Sequence, residues 1–354
     1  MIGKALSSGA FAIIFTFAAL DFSPVQNQNP AQEQETLVQL RADLVLVPVE
    51  VTSKKSGLPV SGLKREDFVI FEDGVLQQIA FFGQDDIPLS LLLLIEAWHI
   101  RDVARAARLI LARLKPEDEV AAMIFYGNPC LIQGFTKDKD LVAKKLEELA
   151  VKGEHWWGLA LLNNTCTWQK YYHVYSLLWT SIYEGAEYML RATERGGRRA
   201  MIVFTYNLGE GHPNMMTEKE RRELKQKVLK RLYESDIVVS RVLLGYSYRR
   251  FIWGVMGRPA FKAFGMDELV KVTGGRMGSA KPGQQLNVDK LAQLIDHLRA
   301  QYVLGYVPAN AARDGKFRKI KIELSPAAKK KYKDVQLRYR QGYIAASGRE
   351  GEPK

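Results

Sequence analysis

Cysteine is almost missing from this chain. Cys130 and Cys166 are the only two among 354 residues, so at most one disulfide can form. In an oxidising compartment the two could pair, but two buried or unpaired thiols are the favoured reading. Histidine is nearly as scarce, and no two histidines stand at a helical or CxxC-type ligand spacing. Binding of a transition metal by His99, His155, His173 and His212, with Glu96 and Cys166 nearby, is therefore the weaker alternative. There is no GxSxG elbow, no HExxH helix and no Walker loop, so the expectation is a chain that is not an enzyme and carries no cofactor. Beyond the first twenty residues no segment reaches 18 uninterrupted apolar residues, so no transmembrane helix is expected there.

Those first twenty residues have a character of their own. Lys4 makes a weakly basic start, and Ala10 to Leu20 is an apolar core too short to span a bilayer comfortably as a helix. This is the pattern of a secretory signal, with Thr16 and Ala18 at cleavage-compatible positions; an uncleaved anchor is the rival. No cysteine follows, which argues against a lipoprotein anchor. Residues 21–39, rich in Gln, Asn and Pro, read as a disordered spacer, and 346–354 as a disordered tail. The expected location is secreted or periplasmic. The formal charge is +12, and the excess gathers between Lys316 and Arg340. Such a stripe can meet an acidic polymer or an anionic membrane, but the favoured reading is the solvated face of edge strands, where lysines block aggregation.

The folded part divides by period. Residues 40–84 carry short alternating runs, at Leu44–Val47, Val49–Val51, Phe68–Phe71 and Ile79–Phe82, with turn signals between them. From Ile87 to Arg299 strand and helix patterns alternate, which implies a mostly parallel sheet with helices on both faces. Its first strand, Leu89–Ile95, is continuously apolar, as a strand buried on both faces must be. Val103, Ala106, Ala107, Ile110, Leu111 and Leu114 then repeat at helix spacing, and the turn between is Glu96-Ala97-Trp98-His99-Ile100. In open α/β sheets ligands bind at such carboxyl ends. Residues 300–345 return to strands. Neither β segment has enough strands to cover its own apolar face, so the two are expected to form one sandwich, 40–84 with 300–345, into which the α/β domain, 86–299, is inserted.

Several segments carry a family resemblance. Pro59-Val60-Ser61-Gly62-Leu63-Lys64-Arg65-Glu66-Asp67-Phe68 and Phe71-Glu72-Asp73-Gly74 resemble the opening of bacterial secreted VWFA-related proteins. Leu298 to Tyr306, Asp314 to Arg318 and Thr273-Gly274-Gly275-Arg276 are similar to that family's later segments. The resemblance implies a von Willebrand factor A domain, Rossmann-like, inserted in a small β-sandwich. It also implies a metal-ion-dependent adhesion site: an Asp-x-Ser-x-Ser loop after the first strand, a Thr from a second loop and an Asp after the fourth strand. A hard divalent cation wants those oxygens. Here the loop offers Glu96, with Trp98 and Ile100 at the serine positions. Thr180 is retained, and Tyr206 stands at the late aspartate position. The expectation is a lost metal site.

Aromatics fill the same edge. All six tryptophans fall in loops or helix starts expected there. Residues 153–175 read as an inserted loop holding Trp156, Trp157 and Trp168, and a later loop adds Tyr248, Arg250 and Trp253. Aromatics with arginine are the composition of interface hot spots. These six residues are the candidate partner-binding set, while Trp98 and Trp179 are expected to plug the vacated site. Packing of all the tryptophans as a small core is the competing reading. The function expected is an exported, non-enzymatic, adhesion-type protein that binds another protein or an envelope component. No nucleic-acid partner is expected. A metal-dependent or histidine-based metal-binding protein and a structural envelope protein are the alternatives.

Overall fold

The computed structural model describes residues 44–84, 87–125, 129–152, 178–193, 197–205, 217–244, 266–279 and 288–347. The expected signal segment, the spacer and the tail beyond Ser347 lie outside them. Among the described residues no helix is long and apolar enough to cross a membrane.

The centre is a six-stranded sheet in the order β10-β9-β8-β5-β6-β7. Its strands are β5 (Leu89–Glu96), β6 (Glu119–Phe125), β7 (Cys130–Thr136), β8 (Arg198–Thr205), β9 (Ile237–Leu243) and β10 (Met277–Ser279). All neighbours run parallel except β7, which lies antiparallel on β6 at one edge. The continuous apolar run of β5 is explained by what covers it. Leu89, Leu91, Leu93 and Ile95 pack under α1 (Ile100–Leu111), α2 (Lys139–Lys152) and α6 (Val288–Arg299). Leu92 and Leu94 pack under α3 (Leu178–Ala192), α4 (Glu218–Ser235) and α5 (Met266–Thr273). Side chains alternate faces along a strand, so a strand with helices on both sides has no polar positions to spare. Helix α4 opens with the expected capping box: Thr217 N–H donates to Glu220 Oε2 at 2.6 Å, and Glu220 N–H to Thr217 Oγ1 at 3.2 Å.

Two four-stranded antiparallel sheets complete the structure. One has the order β13-β1-β11-β4 and the other β14-β12-β2-β3. β1 (Val45–Ser53), β2 (Phe68–Glu72), β3 (Val75–Gln77) and β4 (Phe81–Gly83) come before the central sheet in the chain. β11 (Tyr302–Tyr306), β12 (Phe317–Leu324), β13 (Val335–Tyr339) and β14 (Gly342–Ile344) come after it. A short helix α7 (Pro326–Lys331) links β12 to β13. Every early strand except β3 pairs with a late one, and one apolar core contains Val47, Val49, Val51, Phe68 and Ile70 together with Tyr302, Leu304, Ile320 and Ile322. The two short runs expected at Leu44–Val47 and Val49–Val51 are a single strand through Pro48. β13 pairs with β1 only from Val49 onward, so the proline stands one residue outside that ladder, where a missing N–H is tolerated.

The signature segments are each other's partners. Glu72, of the FEDG run, is buried and accepts hydrogen bonds from Tyr306 Oη at 2.8 Å and Tyr343 Oη at 2.9 Å. Burial first, and the bond to Glu72 second, push both phenols above the ordinary tyrosine range. The Tyr302 hydroxyl donates to Val60 O at 3.0 Å and accepts from Leu63 N–H at 3.2 Å, which fixes the loop between β1 and β2. Glu50, on the face of β1 turned away from the sandwich core, is buried against the α/β domain. It receives Arg276 Nε at 2.6 Å and lies 2.7 Å from His297 Nδ1.

The basic stripe differs from its expected form. β12 is an interior strand, not an edge; only β13 and β14 of the late strands are edges. Along β12, Lys319 and Lys321 face solvent while Arg318 is buried and bonded to Asp314 at 2.9 Å. Arg340, just after β13, is buried in an ion pair with Asp236.

Candidate functional site

Strand order reverses between β5 and β8: the chain moves outward one way through β6 and β7, and the other way through β9 and β10. Crevices at such a switch point are where doubly wound sheets bind ligands. Two residues close it. The register Ile95↔Phe204 leaves Glu96 and Thr205 as adjacent strand ends, and Thr205 Oγ1 donates to Glu96 Oε2 at 2.7 Å. Both side chains are buried, Glu96 to 1% exposure. A buried carboxylate needs such a donor, because an unpaired one is costly.

After Glu96 the backbone makes one 3-10 turn, Ala97–His99, and passes directly into α1 at Ile100. Ala97 and Ile100 join the core beneath α1, so the turn is held from below. Trp98 alone of this turn is open to solvent, at 49% exposure. It was expected as a plug and is not one, because the turn sends its neighbours inward and leaves it on the rim. Trp179 is buried among α3, α4 and α5. Thr180 is half-buried on the first turn of α3. Tyr206, Trp156, Trp157, Trp168, Tyr248, Arg250 and Trp253 lie outside the described residues, as do His155, His173 and His212.

His99 is buried, and burial lowers its pKa to about 3. Asp102 is 4.0 Å away and partly exposed, too weakly placed to offset that burial. The imidazole is therefore neutral at pH 7. A folded pKa below the unfolded value means that protons favour the unfolded chain. Stability should be unaffected by His99 above about pH 6.5 and should fall as pH drops from there toward 3, by up to about 1.4 kcal/mol per pH unit. Denaturant unfolding at about pH 5 and pH 7 should show a drop that shrinks by roughly 1–2 kcal/mol in His99→Gln. An identical drop in the variant would show that His99 is not the group.

Among the described residues no group of three or more His, Cys, Asp or Glu side chains is placed to hold a metal ion. Cys130, at the start of β7, is buried and disulfide-bonded. Cys166 lies outside the described residues. Sequence reasoning did not single out Thr205 as the partner of Glu96. The signal was present in the apolar run that ends Phe204-Thr205, but which strand-end residue faces Glu96 depends on register.

No protein-family model matches this chain, and no curated protein does. Solved structures do resemble it. The conserved hypothetical protein BatB from Bacteroides thetaiotaomicron is 15% identical, with 60% of this chain and 98% of that one covered at a TM-score of 0.38. The SpRpn10 VWA domain is 13% identical over 58% and 94%, with a TM-score of 0.37. The vWF domain of the type V pili tip protein Mfa5 from Porphyromonas gingivalis is 12% identical over 34% and 38%, at 0.25. The α/β domain is a mostly parallel six-stranded sheet with helices on both faces, which is what the sequence resemblance implied. The turn after β5, where the sequence resemblance implies an adhesion site, carries Glu96, Trp98 and Ile100.

Proposed function

We propose that this chain is an exported, non-enzymatic protein-interaction protein whose von Willebrand A domain engages its partner without a divalent cation. One observation carries the reading. At the switch point of the sheet the carboxylate is sealed and bonded to Thr205, while an indole, Trp98, lies open beside it. The donor set does not fit the cation: Trp98 and Ile100 have no side-chain oxygen, and Ile100 is buried in the core. Glu96 and Thr180 alone fall well short of the six or more oxygens that Mg²⁺ or Mn²⁺ takes. An exposed tryptophan beside a ligand crevice is instead a common anchor of a protein interface. The disulfide at Cys130 accords with an oxidising compartment, and Cys166 is its only possible partner within the chain.

Calorimetric titration of the whole chain with Mg²⁺ or Mn²⁺ should be flat, with and without Thr180→Ala. Trp98→Ala should change stability by no more than about 1 kcal/mol, the range of exposed substitutions. The same change should cost about 2 kcal/mol or more of binding to a partner isolated from the envelope fraction. Micromolar cation binding that disappears in Thr180→Ala would show the reading to be wrong.

A further inference from the structure

We propose that one end of the β-sandwich is an electropositive docking surface for an anionic lipid bilayer. Two segments about 270 residues apart in sequence are brought together there. The turn after β1 lies against the start of β13: Lys54 N–H donates to Asp334 O at 2.7 Å, and Lys55 Nζ stands 3.5 Å from Asp334 Oδ2. The Tyr332 hydroxyl reaches Gly62 O at 3.4 Å, which places the loop carrying Lys64 and Arg65 beside α7. Lys329, Lys330, Lys331 and Lys333 come from α7 and the turn that follows.

Residues 53–67 and 325–335 together hold eight cationic side chains, all exposed, against Glu66, Asp67 and Asp334. Asp67 is engaged with the Lys64 backbone N–H at 2.8 Å. Lys54, Lys330 and Lys333 have no ion-pair partner among the described residues. A solvated face that existed only for solubility would balance the two signs; here cations outnumber acids even when Glu323, which pairs with Lys329 at 2.8 Å, is added, and the surface is assembled only by the fold.

The chemistry favours a bilayer over other acidic partners. Seven of the eight cations are lysines, compact hydrated charges that attract a charged surface without the bidentate geometry by which arginine reads a phosphate or carboxylate. Leu58, 55% exposed in the same turn, supplies an apolar side chain for the headgroup boundary. The aromatic ring in these segments, Tyr332, is half-buried with its hydroxyl in use, which leaves no stacking platform for nucleic-acid bases. Every element of the surface belongs to the sandwich. It is therefore independent of Glu96, Trp98 and the carboxyl edge of the α/β domain, and either proposal can fail without the other.

Co-sedimentation of the whole chain with phosphatidylcholine vesicles, and with vesicles in which about one lipid in three is phosphatidylglycerol, tests it. The expected result is a preference for the anionic vesicles at about 0.1 M salt that largely disappears near 0.5 M. Replacing Lys54, Lys55, Lys330 and Lys333 together by Gln should weaken anionic binding at least about tenfold. Binding to neutral vesicles, which reports the apolar run Ala10–Leu20, should not change, and neither should the melting temperature. The proposal is overturned if the fourfold variant keeps the preference, or if the native chain binds both vesicle types equally. It is also overturned if soluble polyglutamate at equal charge concentration binds as tightly as the anionic vesicles, since the ligand is then an acidic polymer.

Discussion

A chain ending at Arg299 is expected to lose its cooperative fold and aggregate. The cut removes β11 to β14. β1 then loses both of its neighbours, β4 its partner β11, and β2 its partner β12. What remains paired of the sandwich is the β2–β3 hairpin, and an isolated hairpin is marginal in water. Val47, Val49, Val51, Phe68 and Ile70, all buried in the intact protein, become exposed at about 1.5–3 kcal/mol each. Phe68 and Phe82 lose the Tyr302 ring that stands 5.4 and 5.8 Å from theirs. Glu50 keeps its place beside Arg276 and His297 only while β1 is held, so the damage reaches the α/β domain. Sedimentation velocity and thermal melting should show a polydisperse, non-cooperative species. A soluble monomer that melts as sharply as the whole chain would mean that the late strands are dispensable.

Gly275→Ala should be the most damaging single methyl addition in the Thr273-Gly274-Gly275-Arg276 turn. A Cβ there would lie 2.0 Å from Val239 O and 2.6 Å from Val239 C. Those are backbone atoms of β9, a strand interior to the central sheet, and they cannot turn aside as a side chain would. The turn itself is tied in: Thr273 Oγ1 accepts from Val239 N–H at 3.1 Å, and Gly275 N–H donates to Val270 O at 2.8 Å. Overpacking of this kind costs about 3 kcal/mol or more, which corresponds to a melting temperature lower by roughly 6 °C or more. Gly278→Ala is the control, because the nearest atom to its Cβ is 3.5 Å away. If both variants melt within about a degree of the native chain, the close approach at Gly275 does not constrain the fold.

Much of the α/β domain is legible because its signals are local. The apolar run Leu89–Ile95, the helical stripe from Val103 to Leu111 and the Thr217–Glu220 capping box each lie within one turn or one strand, where spacing alone fixes which side chains share a face. The same holds for α5 and α6, whose apolar spacing marks Met266–Thr273 and Val288–Arg299 as helices. The short elements β10, β14 and α7 were not legible. Three residues such as Met277–Ser279 form a strand only because β9 offers a partner, and their own propensity does not reveal it.

The site shows the same division. That Glu96 ends a buried strand, and that Trp98 and Ile100 bring no oxygen ligand, is written in the sequence. Whether Trp98 plugs the site or lies open is not, because burial depends on what the 3-10 turn does with its neighbours. Thr205 as the partner of Glu96, Tyr306 and Tyr343 as the partners of Glu72, and Lys54 beside Asp334 are contacts across 109, 234, 271 and 280 residues of chain. The sequence by itself determined the periodicities, the strand and helix faces and the ligand chemistry that each position can offer. Register and strand order decided which of those groups meet, because hydrogen bonds and packing between distant segments form only when the whole sheet is assembled.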